Sequence, residues 1–174
     1  GAEVTARNIE PFGPEGTRFE LLIGGVGVPV FLHSPGKHNV TNALAAAATA
    51  WSAGFDRTAI AAGLTAFRPL PGRNEIRHLE NGAYLMIDAY NANPSSMREA
   101  LKTLLELRGN DHAYAVLGDM LELGPESKLF HEEIGSLLAD TQPAHIFLKG
   151  SLTRFLAAEA IRRGFPKEEI TFFE

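Results

Sequence analysis

Cysteine is absent from the 174 residues, which removes disulfide frameworks, zinc–thiolate knuckles and thiol nucleophiles together. Long apolar runs are missing too. Nothing approaches the ~20 consecutive apolar residues of a membrane-spanning helix, and the alanine-rich run 43–50 is too short and too weakly apolar. Positive charge is in short supply, with 16 Lys and Arg against 21 Asp and Glu and a formal net charge of −5. A surface built to hold a nucleic-acid backbone is thereby excluded. The chain does not open on a basic stretch followed by an apolar one, so no secretory signal is expected and the expected compartment is the cytoplasm. Gly1-Ala2 reads as a cloning remainder. What is there, 45% hydrophobic and 21% charged residues, is the balance of an ordinary globular protein.

The common phosphate and metal motifs also fail. Gly36-Lys37 is followed by His38 rather than Ser or Thr, so it is no Walker A loop. Gly25-Val26-Gly27 lacks the third glycine of a dinucleotide fingerprint. The six histidines, at 33, 38, 78, 112, 131 and 145, show no metal-ligand spacing.

The patterns that do occur divide the chain in two. Residues 1–34 read as β, with strands at 18–23 and 28–32 and a hairpin signal at Gly24-Gly25; Pro29 confines the second strand to an edge or a strand start. From Asn39 the period changes: Val40, Ala43, Leu44, Ala47, Ala48 and Trp51 form a helical stripe. Asp56 is the expected cap of a second helix carrying Ile60, Leu64 and Phe67. Arg68-Pro69-Leu70-Pro71-Gly72 follows, and two prolines and a glycine in five residues predict a domain boundary, with domains at 1–70 and 71–174. Beyond it strands (83–87, 113–117, 144–148, 170–173) alternate with helices (94–107, 128–139, 152–163, the last capped by Ser151). Such alternation predicts an α/β domain with a mostly parallel sheet.

In an open parallel sheet ligands bind beyond the carboxyl ends of the strands. Three loops fall there: Asp88-Ala89-Tyr90-Asn91-Ala92-Asn93-Pro94, Gly118–Gly124 and Lys149-Gly150-Ser151. Asp, Asn, Gly and Pro are also turn and cap residues, and Asn93-Pro94 is a good helix start by itself. The segment Gly36-Lys37-His38-Asn39-Val40-Thr41-Asn42 sets two Asn and a His at a helix start. Capping accounts for one Asn; the other is left in the first turn, where a carboxamide, both donor and acceptor, suits an adenine edge.

These segments together resemble the Mur ligases, the ATP-dependent amide-forming enzymes of peptidoglycan precursor synthesis. Gly36-x-His38-Asn39-x-x-Asn42-Ala43-Leu44-Ala45-Ala46 is similar to their central-domain motif, and Pro71-Gly72-Arg73 to the arginine motif at their domain junction. Ile87-Asp88-x-Tyr90-Asn91-Ala92-Asn93-Pro94 is similar to the first loop of their C-terminal domain. That loop, with Val116–Gly124 and His131 downstream, points to the branch that joins D-alanyl-D-alanine to UDP-N-acetylmuramoyl-tripeptide. Other Mur ligases, folylpolyglutamate synthetase and a non-catalytic nucleotide- or peptide-binding module are the alternatives.

The resemblance implies a Rossmann-like C-terminal domain, incomplete at its end, preceded by the last part of a central ATP-binding domain made of a β-hairpin and two helices. By the same resemblance, Asn42 contacts the adenine, Arg73 the phosphates or ribose, and Asp88 the ribose hydroxyls. His38 and Asn39 orient the ATP loop, while Tyr90, Asn91 and Asn93 shape the dipeptide site. ATP and Mg²⁺ are the implied cofactors, and a monomer the implied state. The family's P-loop, magnesium ligands and carbamylated lysine have no counterpart in the 174 residues. The segment alone is therefore expected to carry no catalytic residue, no metal ligand and no ligase activity.

Overall fold

In the structure, a computed structural model, residues 3–173 are described; Gly1-Ala2, with the cloning remainder expected there, and residue 174 lie outside the described residues. The chain divides into two compact units, residues 1–88 and 89–174.

In the first unit, β1 (Val4–Pro11), β2 (Thr17–Ile23) and β3 (Val26–Leu32) form an antiparallel sheet in that order. The period of two in β2 buries Phe19, Leu21 and Ile23 on one face and turns Arg18 and Glu20 to the other. Glu20 there accepts two hydrogen bonds from Arg7, at 2.7 and 2.8 Å, and they hold its carboxyl below the usual range. Gly24 and Gly25, both at positive φ (57° and 80°), make the β2–β3 turn. Pro29 lies on β3, an edge strand, as its missing N–H requires. Helices α1 (Lys37–Ser52) and α2 (Arg57–Ala66) cover the apolar face, where Val40, Ala43, Ala47 and Ile60 meet the β2 side chains. Asp56 caps α2 as expected, its carboxylate accepting from the Thr58 and Ala59 N–H groups at 2.9 and 3.0 Å.

The strand expected at 83–87 departs from its predicted role. It forms β5 (Tyr84–Ile87) and pairs antiparallel with β4 (Glu75–His78), which sequence periodicity does not reveal. Among the described residues it adds nothing to the parallel sheet. The connection 79–83 is short, with Gly82 at φ 83° and the Leu79 N–H bonded to the Ala83 carbonyl. Closing so short a loop costs less entropy than a crossover. The proline-rich stretch is a loop as expected, but compaction divides the chain later, between Asp88 and Ala89. The β4–β5 hairpin is held in the first unit by Asn74, whose side chain donates to the Pro35 carbonyl at 2.9 Å.

The second unit is α/β. Strands β6 (Tyr114–Gly118), β7 (His145–Lys149) and β8 (Ile170–Phe173) are parallel and adjacent in that order. Helices α3 (Pro94–Arg108), α4 (Ser127–Thr141) and α5 (Thr153–Arg162) carry its core side chains, among them Leu101, Ile134, Leu138 and Leu156, against Ile146 and Leu148 of β7. Gly109 ends α3 at φ 55°. Among the described residues no helix is long and apolar enough to cross a membrane.

Ser151 does not cap α5. Asp119 does so from a distance in sequence. Its carboxylate accepts from the N–H groups of Ser151 (3.0 Å), Leu152 (2.9 Å) and Thr153 (2.8 Å), satisfying donors that the helix itself leaves open. Gly150, at φ 110°, has no space for a Cβ because that carboxylate fills it.

At the other end of α5, Glu159 accepts from Arg162, Arg163 and Ser136. The Arg162 hydrogen bond is the largest cause holding its carboxyl down, from the ordinary 4.5 to about 2. A group depressed on folding stabilises the fold fully above its unfolded pKa, and that contribution fades as the pH falls through the folded value. In urea titrations the advantage of the wild type over Glu159→Gln is therefore expected to be constant from pH 7 to 5 and to shrink from pH 4.5 towards 2. A gap that stays level across that window excludes this coupling.

Candidate functional site

The structure gathers several of the sequence-predicted groups at the start of α1. Gly36, at φ 94°, is the N-cap, and no side chain caps the helix. The helix thus begins at Lys37, ahead of the expected Asn39, and neither Asn acts as a cap. Asn39 instead points its carboxamide back, donating to the Pro35 carbonyl at 2.8 Å. The same carbonyl accepts from Asn74, whose backbone N–H donates to Asp88 Oδ1 at 3.0 Å. Asn39, Pro35, Asn74 and Asp88 therefore form one continuous hydrogen-bonded series. It ties the first turn of α1 to the 71–74 turn and to the end of β5.

Asn74 is the member that sequence reasoning missed. Its φ of 48° is a left-handed conformation that Asn tolerates better than most residues, and an Asn straight after Pro71-Gly72-Arg73 was the available signal. Gly72, at φ 74°, donates its N–H to Glu75 at 2.9 Å, and Arg77 donates to the same carboxylate at 2.7 Å. The Arg77 bond first, then the Gly72 bond, lowers the Glu75 pKa. The turn is thus braced on both sides, with Arg73 exposed within it. His38, half-buried, sits beside Asn39. Asn42 lies in the second turn of α1, not the first, because the helix starts early. It is exposed, and its side chain makes no hydrogen bond among the described residues.

The remaining predicted residues belong to the second unit. Tyr90 and Asn91 are exposed. Asn93 caps α3: its Oδ1 accepts from the Ser96 N–H at 2.9 Å, and Ser96 Oγ receives the Asn93 N–H at 3.2 Å. This reciprocal box takes the Asn93 oxygen and leaves its amide Nδ2 for other partners. At the carboxyl edge of the parallel sheet, Gly118–Gly124 follows β6 and Lys149-Gly150-Ser151 follows β7, and Asp119 joins them. His131, fully buried, accepts the Met120 N–H at Nε2 (3.1 Å), while its Nδ1 lies 2.7 Å from the Ser127 carbonyl. A carbonyl only accepts and an amide N–H only donates, so the imidazole is the neutral Nδ1–H tautomer. Among the described residues no three His, Asp or Glu side chains converge as a cation site would need.

Residues 72–174 match the family model of the Mur ligase, glutamate ligase domain. The chain belongs to the Mur ligase family. The curated Mur ligases it resembles include the UDP-N-acetylmuramoyl-tripeptide–D-alanyl-D-alanine ligase of Bacillus subtilis, 35% identical over 91% of this chain and 34% of that protein. The ligase of the same name from Escherichia coli is 42% identical over 77% of this chain and 29% of its own length. Among solved structures, a crystal structure of MurF from Acinetobacter baumannii superposes with a TM-score of 0.84 at 32% identity, covering all of this chain and 36% of the other. The chain thus spans about a third of the length of the Mur ligases it matches. Its three-stranded parallel sheet with flanking helices is the α/β fold expected from the sequence.

Proposed function

We propose that this chain forms part of an ATP-dependent ligase that joins D-alanyl-D-alanine to UDP-N-acetylmuramoyl-tripeptide, with residues 1–70 from its central ATP-binding domain and 71–174 from its C-terminal domain. The observation that carries the proposal is the likeness of 72–174 to the Mur ligase domain, together with relatives whose names state that reaction. A carboxylate and an ammonium do not condense in water unaided. In the proposed sequence the tripeptide carboxylate attacks the γ-phosphorus of ATP and releases ADP. The free amine of the dipeptide then attacks the acyl phosphate, the amide forms, and inorganic phosphate leaves. Positioning and charge neutralisation supply most of such catalysis. The ligase acts as a cytoplasmic monomer, with Mg²⁺ accompanying ATP rather than held by this segment.

Within it, the exposed carboxamide of Asn42 meets the adenine edge and the Arg73 guanidinium meets phosphate or ribose oxygens. Asp88 keeps one oxygen on the Asn74 N–H and offers the other to the ribose hydroxyls. His38 and Asn39 hold the start of α1 in place. Tyr90, Asn91 and the Asn93 amide face the dipeptide. In a ligase that includes this segment, Asp88→Ala is expected to raise the KM for ATP about tenfold, the equivalent of ~1.4 kcal/mol. The KM for D-alanyl-D-alanine stays within about twofold, and the 174-residue chain alone forms no product. An unchanged ATP KM, or ligation by the isolated chain, overturns the assignment.

A further inference from the structure

We infer that Glu122 receives the ammonium group of the amine substrate, presented by a strained loop whose first half the fold pins twice. The inference rests on the function proposed above and gives a recognition role to a residue of the Val116–Gly124 motif that the expected site leaves without one.

The loop Gly118–Gly124 leaves the carboxyl end of β6, the edge of a parallel sheet where ligands collect. Its first half is immobilised twice over. The Asp119 carboxylate is spent on three N–H groups at the start of α5, and the neighbouring Met120 is fully buried with its N–H on His131. The chain then turns outward. Leu121 is 68% exposed, and Glu122 adopts φ 61°.

That φ is the unexplained feature. A left-handed conformation costs a side chain with a Cβ about 1 kcal/mol or more, and Gly or Asn occupies it more cheaply. Turn geometry alone gives no reason for a glutamate. Gly124, at φ 63° two residues later, shows the same backbone sign carried by a glycine. Nor does the fold use the carboxylate. Glu132, Glu133, Glu159 and Glu169 each pair with a basic side chain of the second unit, whereas Glu122, like Glu106, Glu126 and Glu168, makes no hydrogen bond or ion pair among the described residues. The structure therefore holds an anion in a strained backbone at the ligand edge, on a stem it cannot easily vacate, with an exposed apolar side chain beside it. A carboxylate next to Leu121 fits a small zwitterion with an ammonium and a methyl group on the same carbon. The N-terminal D-alanyl residue of D-alanyl-D-alanine has that form.

The test is an NMR titration of the ¹⁵N-labelled 174-residue chain at millimolar dipeptide. D-Alanyl-D-alanine is expected to shift the amides of 118–124, while N-acetyl-D-alanyl-D-alanine, the same shape without the positive charge, is expected to shift them little. Glu122→Gln is expected to weaken binding about fivefold, the upper end for an exposed ion pair. Glu122→Gly, which relieves the strain, is expected to melt no lower than the wild type and to lose the same affinity, separating recognition from folding. Equal binding of the acetylated dipeptide, unchanged affinity of Glu122→Gln, or shifts absent from 118–124 each overturn the inference. None of these outcomes bears on the ATP dependence of the Asp88 variant, which judges the proposed function separately.

Discussion

Replacing Gly135 by alanine is expected to destabilise the second unit by about 2 kcal/mol, although alanine is the better helix former. Two effects of opposite sign compete. In the interior of α4 the substitution gains ~1 kcal/mol of helix propensity. A Cβ at this position, however, meets the Leu156 carbonyl oxygen well inside contact distance, with the Leu156 carbonyl carbon at 3.0 Å and Glu159 Cβ at 3.1 Å. The obstacle is backbone in α5, and the Leu156 side chain is fully buried, so relief requires moving a packed helix. Overpacking costs about 1–3 kcal/mol, and against a rigid backbone obstacle the upper end of about 3 kcal/mol applies, so the steric cost wins. Gly63 supplies the contrast. It lies in α2, where an added Cβ meets nothing within 4 Å, so Gly63→Ala is expected to gain up to ~1 kcal/mol. Urea unfolding of the two variants should move the midpoints in opposite directions, and a stabilised Gly135→Ala contradicts the close α4–α5 crossing.

His131→Ala is expected to cost more, about 4 kcal/mol, a large fraction of the roughly 5–15 kcal/mol that holds a domain folded. The ring is fully buried, so its removal leaves a cavity worth about 2–4 kcal/mol. The Met120 N–H and the Ser127 carbonyl lose their partner at the same time, and each unsatisfied group adds about 1–3 kcal/mol unless water enters. His131→Phe separates the two contributions. It fills the volume but offers no hydrogen bond, and about half the loss is expected. In both variants the Met120 amide should exchange with solvent much faster than in the wild type. Protection of that amide in His131→Phe would show that His131 Nε2 is not its acceptor.

The same residues separate what was legible in the sequence from what was not. Asp56, Asn93 with Pro94 and the Gly24-Gly25 turn were readable, because caps and turns satisfy backbone groups within three or four residues of themselves. The alternation in β2 and the stripe of Val40, Ala43 and Ala47 were readable because burial repeats with the period of the element. Asp119 was not. Its acceptors serve N–H groups 32 to 34 residues away, and a serine beside the helix was the nearer, wrong cap. The antiparallel partner of β5 was equally hidden, since an apolar tetrapeptide carries no mark of the direction in which its neighbour runs. At the candidate site, Asn39 and Asp88 were named through the family resemblance, but their connection through Pro35 and Asn74 was invisible.

By itself the sequence determined most of the elements and their order, because these depend on local backbone preferences and on periodic burial. Only the tertiary structure decided which of those polar groups the fold spends on itself. Asn93 Oδ1, Asp119 and His131 go to backbone donors and acceptors, while Asn42 and Glu122 keep side chains that nothing among the described residues engages. The reason is one of satisfaction. A polar side chain is committed or available according to whether an unpaired backbone group comes within hydrogen-bonding distance of it, and that distance exists only once the chain has folded.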